Sequence, residues 1–410
     1  MAARALQALR RAASAVGDAR AGRQALTALA LNSSTSFVAG AFLGAVSATF
    51  ANRPGLLVLV PAAIGLRGNI FTPVGSRLST AIHTGTFNLS RNPRSVLGQN
   101  VVAAVVLTIA ASVLLGVVAK VIAVALGQTG SAPVADFVVV STVGGILASA
   151  VVLASTVGIA AGAVRYDWDL DDVSAPLVST LGDVLTLPAL WLAAGLTGIA
   201  IVTPSIALVG IAAAVVVVVL ALRASLDELP RIVRQSMPVL VLAGAVSALA
   251  GVAIERQLAP FTEHPALLVL LPAFLSSCGA LGGILSGRLG TKLHLGLIEP
   301  ATMPSRLARR DIGAALALAV PVFAYDALGA TLIATLVGHE TPGVLTMLAV
   351  TMLGGLVAVA FVVLVAYYGT IASFRVGLDP DSYGIPIVTS TVDFTGAVAL
   401  VLAIVAVGLA

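Results

Sequence analysis

The stretch Pro61 to Gly85, PAAIGLRGNIFTPVGSRLSTAIHTG, returns as Pro272 to Gly296, PAFLSSCGALGGILSGRLGTKLHLG, at an offset of 211 positions. Arg77 falls on Arg288, Thr80 on Thr291, His83 on His294 and Gly85 on Gly296, and the match extends upstream, where LLVLVP precedes Ala62 and LLVLLP precedes Ala273. Two of only four histidines land in register. Self-similarity on this scale marks a duplication, so any fold for the chain has to be built from two like halves.

Both copies lie in apolar sequence. Hydrophobic residues make up 59% and charged residues 10%, with mean hydropathy +1.08, whereas a soluble domain carries roughly 25% charged residues. The chain reads as an all-α polytopic membrane protein embedded in a lipid bilayer. Its formal charge of +4 comes mostly from arginines between apolar spans, where they report topology rather than a nucleic-acid partner. The lone cysteine, Cys278, excludes an internal disulfide or a cysteine-rich metal site and reads as a small residue packed in a helix. Phosphate loops, catalytic triads and metalloprotease spacings are absent; neither an enzyme nor a resident cofactor is expected.

Segments of about 20 apolar residues, enough to span a bilayer, occur near 26–50, 55–82, 97–127, 136–163, 177–200, 205–223, 237–254, 266–293, 312–338, 343–371 and 386–408. That predicts eleven transmembrane helices, the long second to fourth being tilted or broken. The Arg-rich residues 1–25 lack the core of a signal peptide and suit a cytoplasmic helix on an anionic surface, or an organellar transit peptide. Arg91 with Arg94, Arg165, Arg223 with Arg231 and Arg234, Arg306 with Arg309 and Arg310, and Arg375 share one side. That side is the cytoplasm, which places the C-terminus outside. The halves are then 26–202 and 231–410, five helices each. Residues 203–230 supply an unmatched linking span that makes the halves parallel, related by a pseudo-twofold along the membrane normal.

The fifth helix of each half carries the chemistry. DLDDVSAPLVSTLGDVLTLP from Asp169 matches DPDSYGIPIVTSTVDFTGAV from Asp379, so Asp183 corresponds to Asp393. Ser179 and Thr180 lie four and three residues before Asp183, on its helical face, as Thr389 and Ser390 do for Asp393. A charged aspartate at mid-bilayer is unfavourable by roughly 2.5–3.5 kcal/mol and normally faces a bundle interior or a water-filled path. Two such groups facing each other stay charged at low cost only with a proton or cation between them. Asp183 is about 10 Å above the boundary at Pro176 and Asn69 about 21 Å below Gly55 in a roughly 30 Å core, so they end at similar levels. Gly65 and Gly68 permit close helix approach or a local break there.

PAAIGLRGN followed by SRLSTA strongly resembles the signature of the MgtE-type magnesium transporters, particularly their two-repeat solute-carrier relatives, as does the Pro, Thr or Ser, then Asp pattern of the fifth helix. The resemblance covers both membrane units. It implies a five-helix unit that dimerises in the parent proteins and is fused here, passing divalent cations along the twofold, with Asp183 and Asp393 as the metal site. MgtE proteins proper also have cytoplasmic magnesium-sensing domains without counterpart in these residues, so steep shut-off by that route is not expected. Within the motif, Ser276, Cys278 and Ala280 replace Gly65, Arg67 and Asn69. Any pore lining from the second helix is therefore one-sided. Arg67 opposes cation passage unless it snorkels or pairs with an acid, and a structural anchoring role is as good a reading of it as a functional one.

The expected function is transport of a divalent cation by a monomer with an internal pseudo-dimer. The resemblance points to magnesium, and the metal ligands would be Asp183, Asp393, Thr180, Ser179, Thr389, Ser390 and Asn69. The rival reading is a proton- or sodium-coupled carrier of another solute, using the same aspartates as a relay. Asp326 sits mid-span in the ninth helix where the first half has Leu115, and is either an accessory coupling-ion site or a satisfied structural acid. His83 and His294 fall at cytoplasmic helix ends. Asp167, Asp169, Asp171 and Asp172 form a solvated loop or, with Asp379 and Asp381, a cation-attracting vestibule.

Overall fold

In the computed structural model the described residues are 2–46, 49, 53–90, 92–128, 130–166, 170–294, 296–375 and 385–409, with backbone alone for 2–21, 24, 83, 166, 170–179, 258–259, 262, 291, 294, 385 and 387. Eleven long helices follow in order: α1 Ala2–Ala45, α2 Leu59–His83, α3 Val96–Ala125, α4 Val134–Tyr166, α5 Leu170–Ala194, α6 Val202–Arg223, α7 Leu229–Arg256, α8 Ala266–His294, α9 Arg306–Val337, α10 Val344–Arg375 and α11 Ile385–Val407. A 3₁₀ turn, Leu56–Val58, leads into α2, and a short helix, Leu258–Glu263, precedes α8. Among the described residues ten helices are long and apolar enough to cross a membrane, and α5 contributes a shorter apolar stretch, Thr180–Ala194. The protein is an all-α, multi-pass membrane protein.

Of the two forms expected for the second to fourth spans, tilted or broken, the broken one is absent: each is a continuous helix, and α2 runs through Gly65, Gly68 and Pro73 without interruption. Helices suit lipid because every interior backbone group is satisfied within the segment, and a proline costs less there than in water. Residues before 26, which suit a surface helix or a transit peptide, are helical and continue directly into the first span as part of α1.

Local signals recur between the halves. Ser95 caps α3 by accepting from the Gly98 amide at 3.0 Å, and Ser305 caps α9 by accepting from the Ala308 amide at 3.3 Å; both satisfy donors that a helix start leaves orphaned. Gly85 and Gly296, just beyond α2 and α8, take φ of +71° and +67°, the left-handed exit that a side chain disfavours.

The halves do not sit side by side as separate bundles. α1 packs on α8 and α9 of the second half, while α7 packs on α2 and α3 of the first. Gly40 makes this approach possible on α1, because a Cβ there would run into the Val269 backbone. Gly251 on α7 meets the Val58 backbone in the same way. Small residues at membrane helix crossings let backbones approach and gain contact where no hydrophobic force between helices operates. The exchange of partners, first helix of each half on second helix of the other, is the signature of a twofold relation. Outside this core α6 packs on α3, α4 and α7 and turns an apolar face outward, with Leu208 at 69% and Val209 at 67% exposure.

Candidate functional site at the junction of the halves

Asp183 on α5 and Asp393 on α11 lie where the halves cross. Asp183 is buried, and its Oδ2 accepts hydrogen bonds from the Ser36 hydroxyl on α1 at 3.2 Å and the Ser276 hydroxyl on α8 at 3.3 Å. The Asn32 amide in turn donates to Ser276 at 2.8 Å and so holds that hydroxyl in place. Asp393, half-buried, accepts from the Ser247 hydroxyl on α7 at 3.4 Å. Its Oδ2 also lies against Gly65 of α2, 3.3 Å from where a Cβ would be.

These contacts obey the repeat. Ser36 and Ser247 stand 211 apart, as do Gly65 and Ser276. Each aspartate therefore touches the first helix of its own half and the second helix of the other. The difference between the ends is one hydroxyl: Ser276 supplies a donor to Asp183, and the equivalent Gly65 supplies none to Asp393, which packs closely against it. The two carboxylates are within Coulombic reach of each other.

The hydroxyls predicted beside the aspartates fall differently. Thr180 is half-buried, Ser390 is buried with no partner on its Oγ among the described residues, and Thr389 donates to the Pro386 carbonyl at 3.2 Å. The Ser179 side chain lies outside the described residues, as do His83, His294, Asp169, Asp171, Asp172, Asp379 and Asp381. Asn69 is half-buried one turn beyond Gly65 on α2, on the face that meets Asp393. Sequence reasoning missed Ser36, Ser247 and Ser276; the equal spacing of the two serines in the first helices was the available signal.

Arg67 does not snorkel, and among the described residues it pairs with no acid. It is fully buried, and its guanidinium donates to Ser149 Oγ at 2.7 Å, the Gly145 carbonyl at 3.1 Å and Ser112 Oγ at 3.2 Å. The group thus ties α2 to α3 and α4, behind Gly182, whose Cβ would lie 3.3 Å from that of Arg67. In the second half Phe323 packs on Gly355 where the first half sets Arg67 and Ser112 on Gly145. Neutral hydrogen-bond acceptors satisfy the donors.

Among the described residues no group of three or more His, Cys, Asp or Glu side chains gathers to hold a metal. What the junction offers is two carboxylates with neutral oxygens. That donor set fits a hard cation which keeps part of its water.

Residues 60–193 and 271–403 match the family model for MgtE, described as "Divalent cation transporter". Solute carrier family 41 member 2 of Xenopus laevis is 25% identical over 389 residues, covering 86% of this chain and 65% of the relative. Solute carrier family 41 member 3 of Rattus norvegicus is 24% identical over 375 residues, covering 85% and 78%. The human member 2 is 23% identical over 383 residues, covering 85% and 63%. The chain thus spans just under two thirds of the length of the member 2 relatives. No solved structure matches it.

Proposed function

Because the chain belongs to the MgtE family of divalent cation transporters, we propose that it carries a divalent cation, magnesium foremost, across the cell membrane at the junction of its halves, with Asp183 and Asp393 as the central ligands. The observation that supports this most directly is the exchanged arrangement of the two acids, each held by a serine of its own first helix and set against the second helix of the other half. An ion between them touches both halves, so a change in their relative position alters its binding. Two carboxylates in Coulombic reach repel each other in a poorly solvated interior, and a cation offsets that repulsion.

Magnesium sheds water reluctantly and is commonly held by one or two carboxylates, which agrees with the sparse donor set. Ser179, Thr180, Thr389, Ser390 and Asn69 then act on the ion's retained water. The N-terminus is cytoplasmic and the C-terminus external, and the chain works as a monomer with an internal pseudo-dimer. Magnesium is cargo here and no cofactor takes part. The test is flux into proteoliposomes of the purified chain: entry of magnesium that is saturable and lost in Asp183→Asn is expected. Uptake of organic solutes with no divalent flux would replace this reading by the solute-carrier one, in which the same aspartates relay protons or sodium.

A further inference from the structure

Asp326 on α9 has no accessible surface, and among the described residues no group lies at full hydrogen-bond geometry to either of its carboxylate oxygens. The hydroxyls of Ser33 on α1 and Ser277 on α8 are the donors turned toward it. Their hydroxyls bond each other at 3.0 Å, so one of the two protons is already committed. The neighbouring Tyr325 turns away to pair with Ser34 at 2.7 Å. Cys278 on α8 is within electrostatic reach of both Asp326 and Asp393.

The other half has nothing similar. The positions equivalent to Ser33, Ser277 and Asp326 are Gly244, Leu66 and Leu115, and there Leu115 packs 3.4 Å from where a Cβ on Gly244 would sit. Three positions on three helices are polar together in one half and apolar or bare together in the other. A stray buried acid would not bring two hydroxyls with it.

We propose that Asp326, Ser33 and Ser277 form a second cation site, confined to one half, that takes a single small monovalent cation stripped of its water. One carboxylate matches one positive charge. A cation draws on the lone pairs of all four oxygens at once, whereas a proton on the carboxyl engages one carboxylate oxygen and a single hydroxyl acceptor. A divalent ion would retain water, and a carboxylate without accessible surface leaves no room for it. Ser33 lies one turn before Ser36 on α1, and Ser277 adjoins Ser276 on α8, so the two helices that hold Asp183 also hold this site. Filling it fixes their spacing and thereby conditions the junction. That last consequence rests on the divalent reading; the site itself does not.

The experiment is thermal unfolding of the full purified chain in detergent without divalent ions, with sodium, lithium or potassium chloride against choline chloride at constant ionic strength. At least one of the three is expected to raise the midpoint saturably, the rise being lost in Asp326→Asn and retained in Asp183→Asn. Should Asp326→Asn fail to fold, Ser277→Ala is expected to raise the half-saturating concentration about tenfold, as loss of one ligand does. No response to any of the three ions, a response unchanged in Asp326→Asn and Ser277→Ala, or a midpoint that follows pH and ignores salt overturns the proposal. A response lost equally in Asp183→Asn would assign the ion to the junction and overturn it as well. Divalent flux failing while this response persists would sink the divalent reading alone.

Discussion

Asp183 and Asp393 take equivalent places and unequal surroundings, two donated hydrogen bonds against one. If both bind one ion, Asp183→Asn and Asp393→Asn each weaken divalent affinity at least tenfold, and the double variant loses much less than the sum, because groups acting on one ion are coupled. Calorimetry on the three proteins checks this; near-native affinity in both single variants would remove the shared site. Asparagine keeps the shape, so folding survives. Arg67 makes a separate prediction. Arg67→Ala leaves Ser112, Ser149 and the Gly145 carbonyl facing a void and costs about 2–5 kcal/mol in thermal stability, while Arg67→Met, which refills the volume as Phe323 does in the other half, costs less. Equal losses would mean that the charge itself holds α2 to α3 and α4. The aspartates were legible in the sequence because a duplicated acid in an apolar span is conspicuous. Their serines were not, because helical periodicity points only to residues three and four away on the same helix, whereas the bonded hydroxyls of Asp183 come from positions 147 and 93 residues distant.

At the scale of the element, the number and order of helices followed from apolar length, since a bilayer admits little else. Which helices touch did not. Gly40 and Gly251 looked like any of the 40 glycines in the chain, yet they set the crossing of α1 with α8 and that of α7 with the 3₁₀ turn that leads into α2. Gly40→Ala would drive a methyl into the Val269 backbone, which cannot move aside as a side chain can, and a loss of about 1–3 kcal/mol is expected from such overpacking. Gly158→Ala on α4, where nothing lies within 4 Å, is the matched control and should leave the unfolding midpoint unchanged. A similar loss in both variants would show that backbone freedom, and not close approach, matters at these positions. The partners of Arg67 were illegible for a related reason: its acceptors Ser112, Ser149 and Gly145 are unremarkable small residues until three helices bring them together.

For the whole molecule the open prediction is orientation. Cysteines placed singly at Gly85 and Gly296 should react with a membrane-impermeant thiol reagent from the same, cytoplasmic side, against a quiet background because Cys278 is buried. Labelling from opposite sides would make the halves inverted and remove the twofold along the membrane normal. The crossing of the halves also bears on biosynthesis. Gly40 is inserted early, but its neighbour Val269 leaves the ribosome roughly 230 residues later, on the order of 10–50 s at ordinary elongation rates. Through that interval the serines and glycines of α1 face lipid or the insertion machinery instead of α8, and Asp183 lacks Ser276. The first half is thus a waiting intermediate rather than a finished domain, and a fragment ending in α6 should be cleared by quality control unless the second half is supplied alongside it.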